Sequence, residues 1–137
     1  MKSDLKANMK AKWTVRVAVI GGFALGALAV QALHAQAKPA AYAIAEVTIS
    51  NQDAYAKDFL PVIRKAIADA GGKFLAAGGK TISFEGAAPA QRVVIVQWEN
   101  LDKAQAFFTS DTTKSAFDMG KKYATFRNFA VEGVPAP

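Results

Sequence analysis

Apolar and polar positions alternate from Ala40 to Ile49 (AAYAIAEVTI), and the run turns β-branched toward its end, which is the period and composition of a strand. Ser50, Asn51 and Asp53 follow as N-cap residues and an acidic first turn. Behind them Tyr55, Phe59, Ile63 and Ile67 recur every four residues, with Val62 and Ala66 alongside, so the spacing predicts a helix with one apolar stripe. Pro61 is expected to kink that helix or end its first part, and Gly71-Gly72 to close it. KFLAA and KTISFEG flank Gly78-Gly79 and read as two short strand-like pieces around a tight turn or a bulge. Gly86, Pro89 and the alanines between them read as a surface loop.

RVVIVQWE, Arg92 to Glu99, is the strongest strand pattern in the chain. Asn100 is placed to cap a second helix with Leu101, Ala104, Phe107 and Phe108 turned inward, and Ser110 or Asp111 to cap a short third one running to about Met119. YATFRNFAVEG, Tyr123 to Gly133, is a last strand, and residues 134–137 are a loose tail.

Strand, helix, strand, strand, helix, strand makes two split βαβ units: an α+β, ferredoxin-like fold with helices on one face of an antiparallel sheet. The other face needs a cover of its own. Val93, Val94, Ile95 and Val96 run without a polar break, and Phe126 and Phe129 fall on opposite faces of the last strand, so both sides of the sheet carry large apolar groups. A domain of about 100 residues has no spare element for a second face. A second copy, packed sheet to sheet about a two-fold axis, is the economical solution, so the expected partner is the chain itself.

The first 37 residues follow a different pattern. Lys2, Lys6, Lys10, Lys12 and Arg16 against Asp4 precede an uncharged run from Val17 to Leu33, and Ala35 and Ala37 supply an A-x-A site. This is the layout of a secretory signal peptide cut before Lys38. The alternative is an uncleaved anchor, in which 17–33 would be the one contact with the membrane. In either case the positive-inside bias puts the domain, 38–133, outside the cytoplasm, periplasmic or secreted.

That division changes the meaning of the charge. The chain has 17 Lys and Arg against 11 Asp and Glu, a net of +6, and four of those six charges belong to the leader. The remainder is nearly neutral, with both signs interspersed, and lacks the dense basic stripe of a nucleic-acid binder. There is no Cys, and the single His34 lies in the leader. Disulfides, thiolate chemistry, Ser-His-Asp catalysis and imidazole-built metal or haem sites are therefore excluded from the mature domain, and neither a metal nor a cofactor is expected. Gly78 to Thr81, GGKT, is no phosphate loop: the position five before Gly79 is Phe74, and the segment leads toward a strand pattern.

The polar residues inside the strand patterns are the remaining candidates. Glu46 in the first strand and Gln97 in the third project either into a cavity, where a desolvated Glu would suit proton transfer, or into a hydrogen-bonded structural pair. Arg127, on the face opposite Asn128, is placed to clamp an anion or to pair with an acid such as Glu46. Glu46 and Arg127 are the candidate base and anion stabiliser of a reaction, and Tyr42, Glu46, Gln97, Arg127 and Phe129 the candidate ligand-binding set. The aromatics Tyr42, Tyr55, Phe59, Trp98, Phe107, Phe108 and Phe126 are candidates to line an apolar pocket, and at helical and strand spacing are chiefly core.

AYAIAEVTISNQDAY, GGKFLAAGGKTISFEG and RVVIVQWENLDKAQAFF together resemble a bacterial family known as domain of unknown function 1330, over about Ala41 to Gly133. The paired double glycines with Phe74-Leu75 between them and the later Glu85-Gly86 carry most of the resemblance. It implies a dimeric α+β barrel and, by analogy with other barrels of this type, the binding of a small apolar or aromatic molecule, or a cofactor-independent reaction on one. A structural envelope module is the third expectation. Members usually have Phe-Pro-Ser where this chain has Trp98-Glu99-Asn100, and Ser-Pro-Glu-Tyr where it has Ser110-Asp111-Thr112-Thr113.

Overall fold

In a computed structural model of the chain, residues 37–137 are described, and the expected leader, but for its last residue, lies outside them. Four strands, β1 (Ala41–Ile49), β2 (Lys73–Ala77), β3 (Arg92–Trp98) and β4 (Ala124–Glu132), form one sheet in the order β2-β3-β1-β4, every neighbouring pair antiparallel. Between β1 and β2 runs α1, built of a short turn Gln52–Ala54, a π-helical turn Tyr55–Phe59 and an α-helix Leu60–Asp69. Helices α2 (Leu101–Thr109) and α3 (Asp111–Gly120) join β3 to β4. This is the βαββαβ order expected, with β1 and β3 central.

Asn51 caps α1 by accepting from the Ala54 N–H, and Asn100 and Ser110 cap α2 and α3 in the same way. Pro61 neither ends nor breaks α1. The backbone widens just ahead of it, the Leu60 N–H donating to the Tyr55 carbonyl five residues back. A π turn absorbs the ring and the missing donor that would disrupt a regular helix. Gly71, at φ +88°, and Gly72, whose N–H reaches the Ile67 carbonyl at 2.9 Å, close α1 as a left-handed cap.

Two expectations need correction. KTISFEG forms no strand: only KFLAA pairs with β3, with its register shift between Phe74 and Ala76, and the chain from Gly78 to Gln91 is an exposed connection. Its apolar residues Ile82 and Phe84 are spaced like a strand but have no neighbouring edge to bond. Leu101 also stays at the surface, while Ala104 and Phe107 of the same helix reach the core.

Strand parity divides the sheet. Ala41, Ala43, Ala45 and Val47 of β1, Val94, Val96 and Trp98 of β3, and Ala124 and Phe126 of β4 face the three helices and meet Tyr55, Phe59, Ile63, Ile67, Phe107 and Ala116 there. The opposite face carries Tyr42, Ile44, Val93, Ile95, Phe129 and Val131, and no helix among the described residues covers it.

Candidate functional site

The alternation AYAIAEV puts alanine at 41, 43 and 45 of a central strand, all toward the helices. Alanines in the floor leave a space that branched side chains would fill. Around Ala43 and Ala45 a partly open chamber results, a cavity of about 60 Å³ roofed by Phe59, Ile63, Phe107 and Phe117. One water needs about 10–15 Å³, so the chamber as it stands has room for about four waters and is open at one side. The aromatic roof is continuous: Phe59 lies 5.1 Å from Phe126 and 5.8 Å from Phe117, and Tyr55 5.2 Å from Phe59. Such ring-to-ring distances belong to mutually supporting tilted and edge contacts, which give the roof a fixed shape.

Four polar side chains enter this apolar lining: Tyr55, Arg64, Arg92 and Asn128. Arg92 stands beside Val47 at the start of β3, and its guanidinium lies against Gly78, where a Cβ would come within 2.4 Å of Nη1. Gly78 also has φ +83°, so the backbone favours glycine at that position, and a side chain there would displace the end of Arg92. Arg92 Nε is buried with no hydrogen-bond partner. Burial pushes the Tyr55 hydroxyl above its usual pKa, against the opposing pull of the nearby Arg92 and Arg64 charges. Tyr55 is therefore a neutral O–H donor at neutral pH.

The five residues expected to bind a ligand do come together, on the other face. Tyr42 is registered opposite Gln97, and Glu46 opposite Arg127. Arg127 Nη1 donates to Glu46 Oε2 at 2.5 Å, and its guanidinium carbon lies 4.8 Å from the centre of the Phe129 ring. Glu46 and Arg127 border a wide concavity shared with the Ile82–Pro89 part of the connection. None of the five lines the helix-side chamber, because even positions of β1 and odd positions of β3 and β4 point away from it. The sequence marks Tyr55 and Phe59 as aromatics of the core or of an apolar pocket, and Arg92 as a strand start. What sequence reasoning could have used is the Ala-x-Ala-x-Ala floor, whose small residues at one parity mark a space.

Among the described residues no three acidic or histidine side chains converge, and no helix is long and apolar enough to cross a membrane. Thr113, which stands where the family's tyrosine is usual, is buried and hydrogen-bonded to Ser110, whose hydroxyl donates to it or accepts from it at 2.9 Å.

Fold and site define a ferredoxin-like α+β domain with an apolar chamber between sheet and helices. The chain belongs to the family described as domain of unknown function (DUF1330), whose pattern it matches over residues 40–134. Among solved structures it is similar to the methylated RPA0582 protein of Rhodopseudomonas palustris, at 13% identity and TM-score 0.55, over 77% of this chain and 90% of that one. It is more distantly similar to SnoaB, a cofactor-independent oxygenase from Streptomyces nogalater, at 12% identity and TM-score 0.46, over 72% and 96%. A dimeric ferredoxin-like protein of unknown function from Bacteroides fragilis matches at 14% identity and TM-score 0.39, over 69% and 96%. No curated protein matches the chain.

Proposed function

We propose that this protein is an exported homodimeric binding domain that holds a small apolar or aromatic molecule in the chamber between its sheet and its helices. The observation that carries this reading is the alanine floor beneath a rigid aromatic roof: an unfilled, partly open apolar cavity costs packing energy unless something occupies it. The five residues of the open face then serve the subunit interface. Ile44, Ile95 and Phe129 lie in one row across three strands there, and a second copy is the partner with a matching surface. The Glu46–Arg127 pair would fix how the two sheets register.

A reaction in the chamber is disfavoured by its lining, which holds no carboxylate and no histidine to accept a proton. Glu46, the candidate base, is on the far side of the sheet and engaged by Arg127. Export rests on the leader pattern of residues 1–37, and the intact mass of the protein from the envelope fraction tests it: a chain starting at Lys38 is expected, and a full-length cytoplasmic chain would overturn it.

The binding test uses a neutral probe. Benzene should bind the wild-type protein and show chemical-shift changes at Ala43, Ala45 and Phe59, while Ala45→Leu, which fills the floor, should abolish binding with the fold retained. Benzene binding that survives Ala45→Leu unchanged would place the ligand elsewhere. For the interface, sedimentation at micromolar concentration should give twice the chain mass, and the double change Ile44→Lys with Ile95→Lys should give one. A wild-type monomer overturns the dimer.

A further inference from the structure

Charge in the chamber is of one sign. Its lining contains two ionisable cations, Arg64 and Arg92, and no acidic side chain. The four ion pairs among the described residues join Lys38 to Asp102, Lys65 to Asp69, Lys121 to Asp118 and Arg127 to Glu46, so neither lining arginine has a carboxylate of its own there. The contrast with Arg127 is informative, since the open face balances its guanidinium with Glu46 and the chamber does not. Buried polar nitrogen without a partner is rare and costly, and Arg92 Nε is one of two such side-chain atoms among the described residues, the other being Trp98 Nε1. The Arg92 guanidinium lies in the space that the missing side chain of Gly78 leaves open.

We propose that the chamber's ligand is an organic anion of amphipathic shape, a small aromatic or aliphatic carboxylate, whose apolar body rests on Ala43 and Ala45 beneath Phe59 and whose carboxylate meets Arg92, Arg64 and the Tyr55 hydroxyl. This deepens the binding reading and rests on it. A guanidinium presents its N–H donors in a fork that matches two carboxylate oxygens. The neutral phenol of Tyr55 adds a donor, which the ionised phenol could not. Arg92 is half-buried and Arg64 exposed, so the charged contact lies where the apolar lining meets water and is open to screening by salt.

The test is a matched pair of probes on the full chain, phenylacetate and its neutral amide phenylacetamide, titrated by calorimetry at low ionic strength. Phenylacetate should bind at least about tenfold more tightly, the scale of one charge-assisted hydrogen-bonded pair. Arg92→Met should remove most of that preference while changing phenylacetamide affinity little, and Arg64→Met should remove part of it. Should Arg92→Met fold poorly, two readouts remain: Arg64→Met, at an exposed position, and the wild-type salt series, in which phenylacetate must weaken with added NaCl and phenylacetamide must not. Equal binding of the two probes, or a preference untouched by Arg92→Met and Arg64→Met, overturns the anion assignment and leaves the apolar chamber standing. Failure of both probes and of benzene overturns the chamber reading with it.

Discussion

The two faces of the sheet are made from the same strands and almost the same residue classes, yet they solve opposite problems. The helix side sets three small side chains of β1 against seven aromatic rings drawn from α1, α2, α3 and the outer strands, and ends with space left over and two unmatched cations. On the open side, branched and aromatic residues stand in rows, and the one charged pair is satisfied within the chain. An unfilled interior with unmatched charge asks for a small molecule. A filled but uncovered surface asks for another surface. Period-two alternation writes both onto one stretch of sequence, AYAIAEV, whose odd positions make the floor of a chamber and whose even positions make an interface.

Removing a ring from the roof should produce the largest effect on this contrast. Phe59 is buried to 2% exposure and touches Tyr55, Phe117 and Phe126, so Phe59→Ala should cost about 3–5 kcal/mol, read from urea midpoints at constant slope. Phe129→Ala, on the open face where the ring is 44% exposed, should cost about 1 kcal/mol in a single subunit. The sharper reading is in the concentration dependence. If a second copy covers Phe129, the cost of its removal grows with protein concentration and that of Phe59 does not. Equal, concentration-independent losses at the two positions would erase the distinction between the faces.

Over-packing probes the same roof from behind. A Cβ on Gly120 would lie 2.6 Å from Phe59 Cδ2 and 3.1 Å from Phe126 Cζ, so Gly120→Ala must push the roof toward the floor. A loss of about 1–3 kcal/mol is expected, together with weaker benzene binding as the chamber narrows. A stabilised Gly120→Ala protein that binds benzene as before would show that the roof is slack. A smaller loss, about 1 kcal/mol, is expected from Asn100→Ala, since the Asn100 side chain accepts the Lys103 N–H at 3.0 Å at the start of α2, and amide exchange in that first turn should speed up.

The sheet, its order of elements, the three caps and the glycine stop after α1 are all legible from period and cap chemistry, because each depends on residues within a turn or two of one another. Three things are not. The Lys80–Gly86 segment has strand-like spacing but acquires no partner edge, and edge availability is set by the whole sheet. The π turn before Pro61 depends on how the helix backbone relaxes, whereas sequence registers only that proline resists a regular turn. The helix-side chamber is not legible for a subtler reason. Polar residues within strands, Glu46, Gln97 and Arg127, drew attention to one face, while the informative residues on the other were alanines, which carry no chemistry and signal only by their size. Arg92 was hidden for a similar cause: it starts a strand, and only the register that sets it beside Val47 turns it toward the helices.

The smallest expected effect tests what the open-face charge pair is for. Glu46 and Arg127 join β1 and β4 across one register step, with the arginine side chain 71% exposed and the glutamate 23%. In a lone subunit such a pair is screened and contributes about 0.2–1 kcal/mol, which a double-mutant cycle with Glu46→Gln and Arg127→Met would read as the coupling term. A second sheet laid over it would exclude water from both groups and raise the penalty for leaving either unpaired, so the single variants should loosen the dimer while the double variant restores much of it. The cycle should therefore be run twice, on the assembled protein and on the Ile44→Lys with Ile95→Lys background. A coupling that is larger in the assembled form assigns the pair to registering two sheets. The same coupling in both backgrounds would make it an ordinary cross-strand contact and remove the charge pair from the interface.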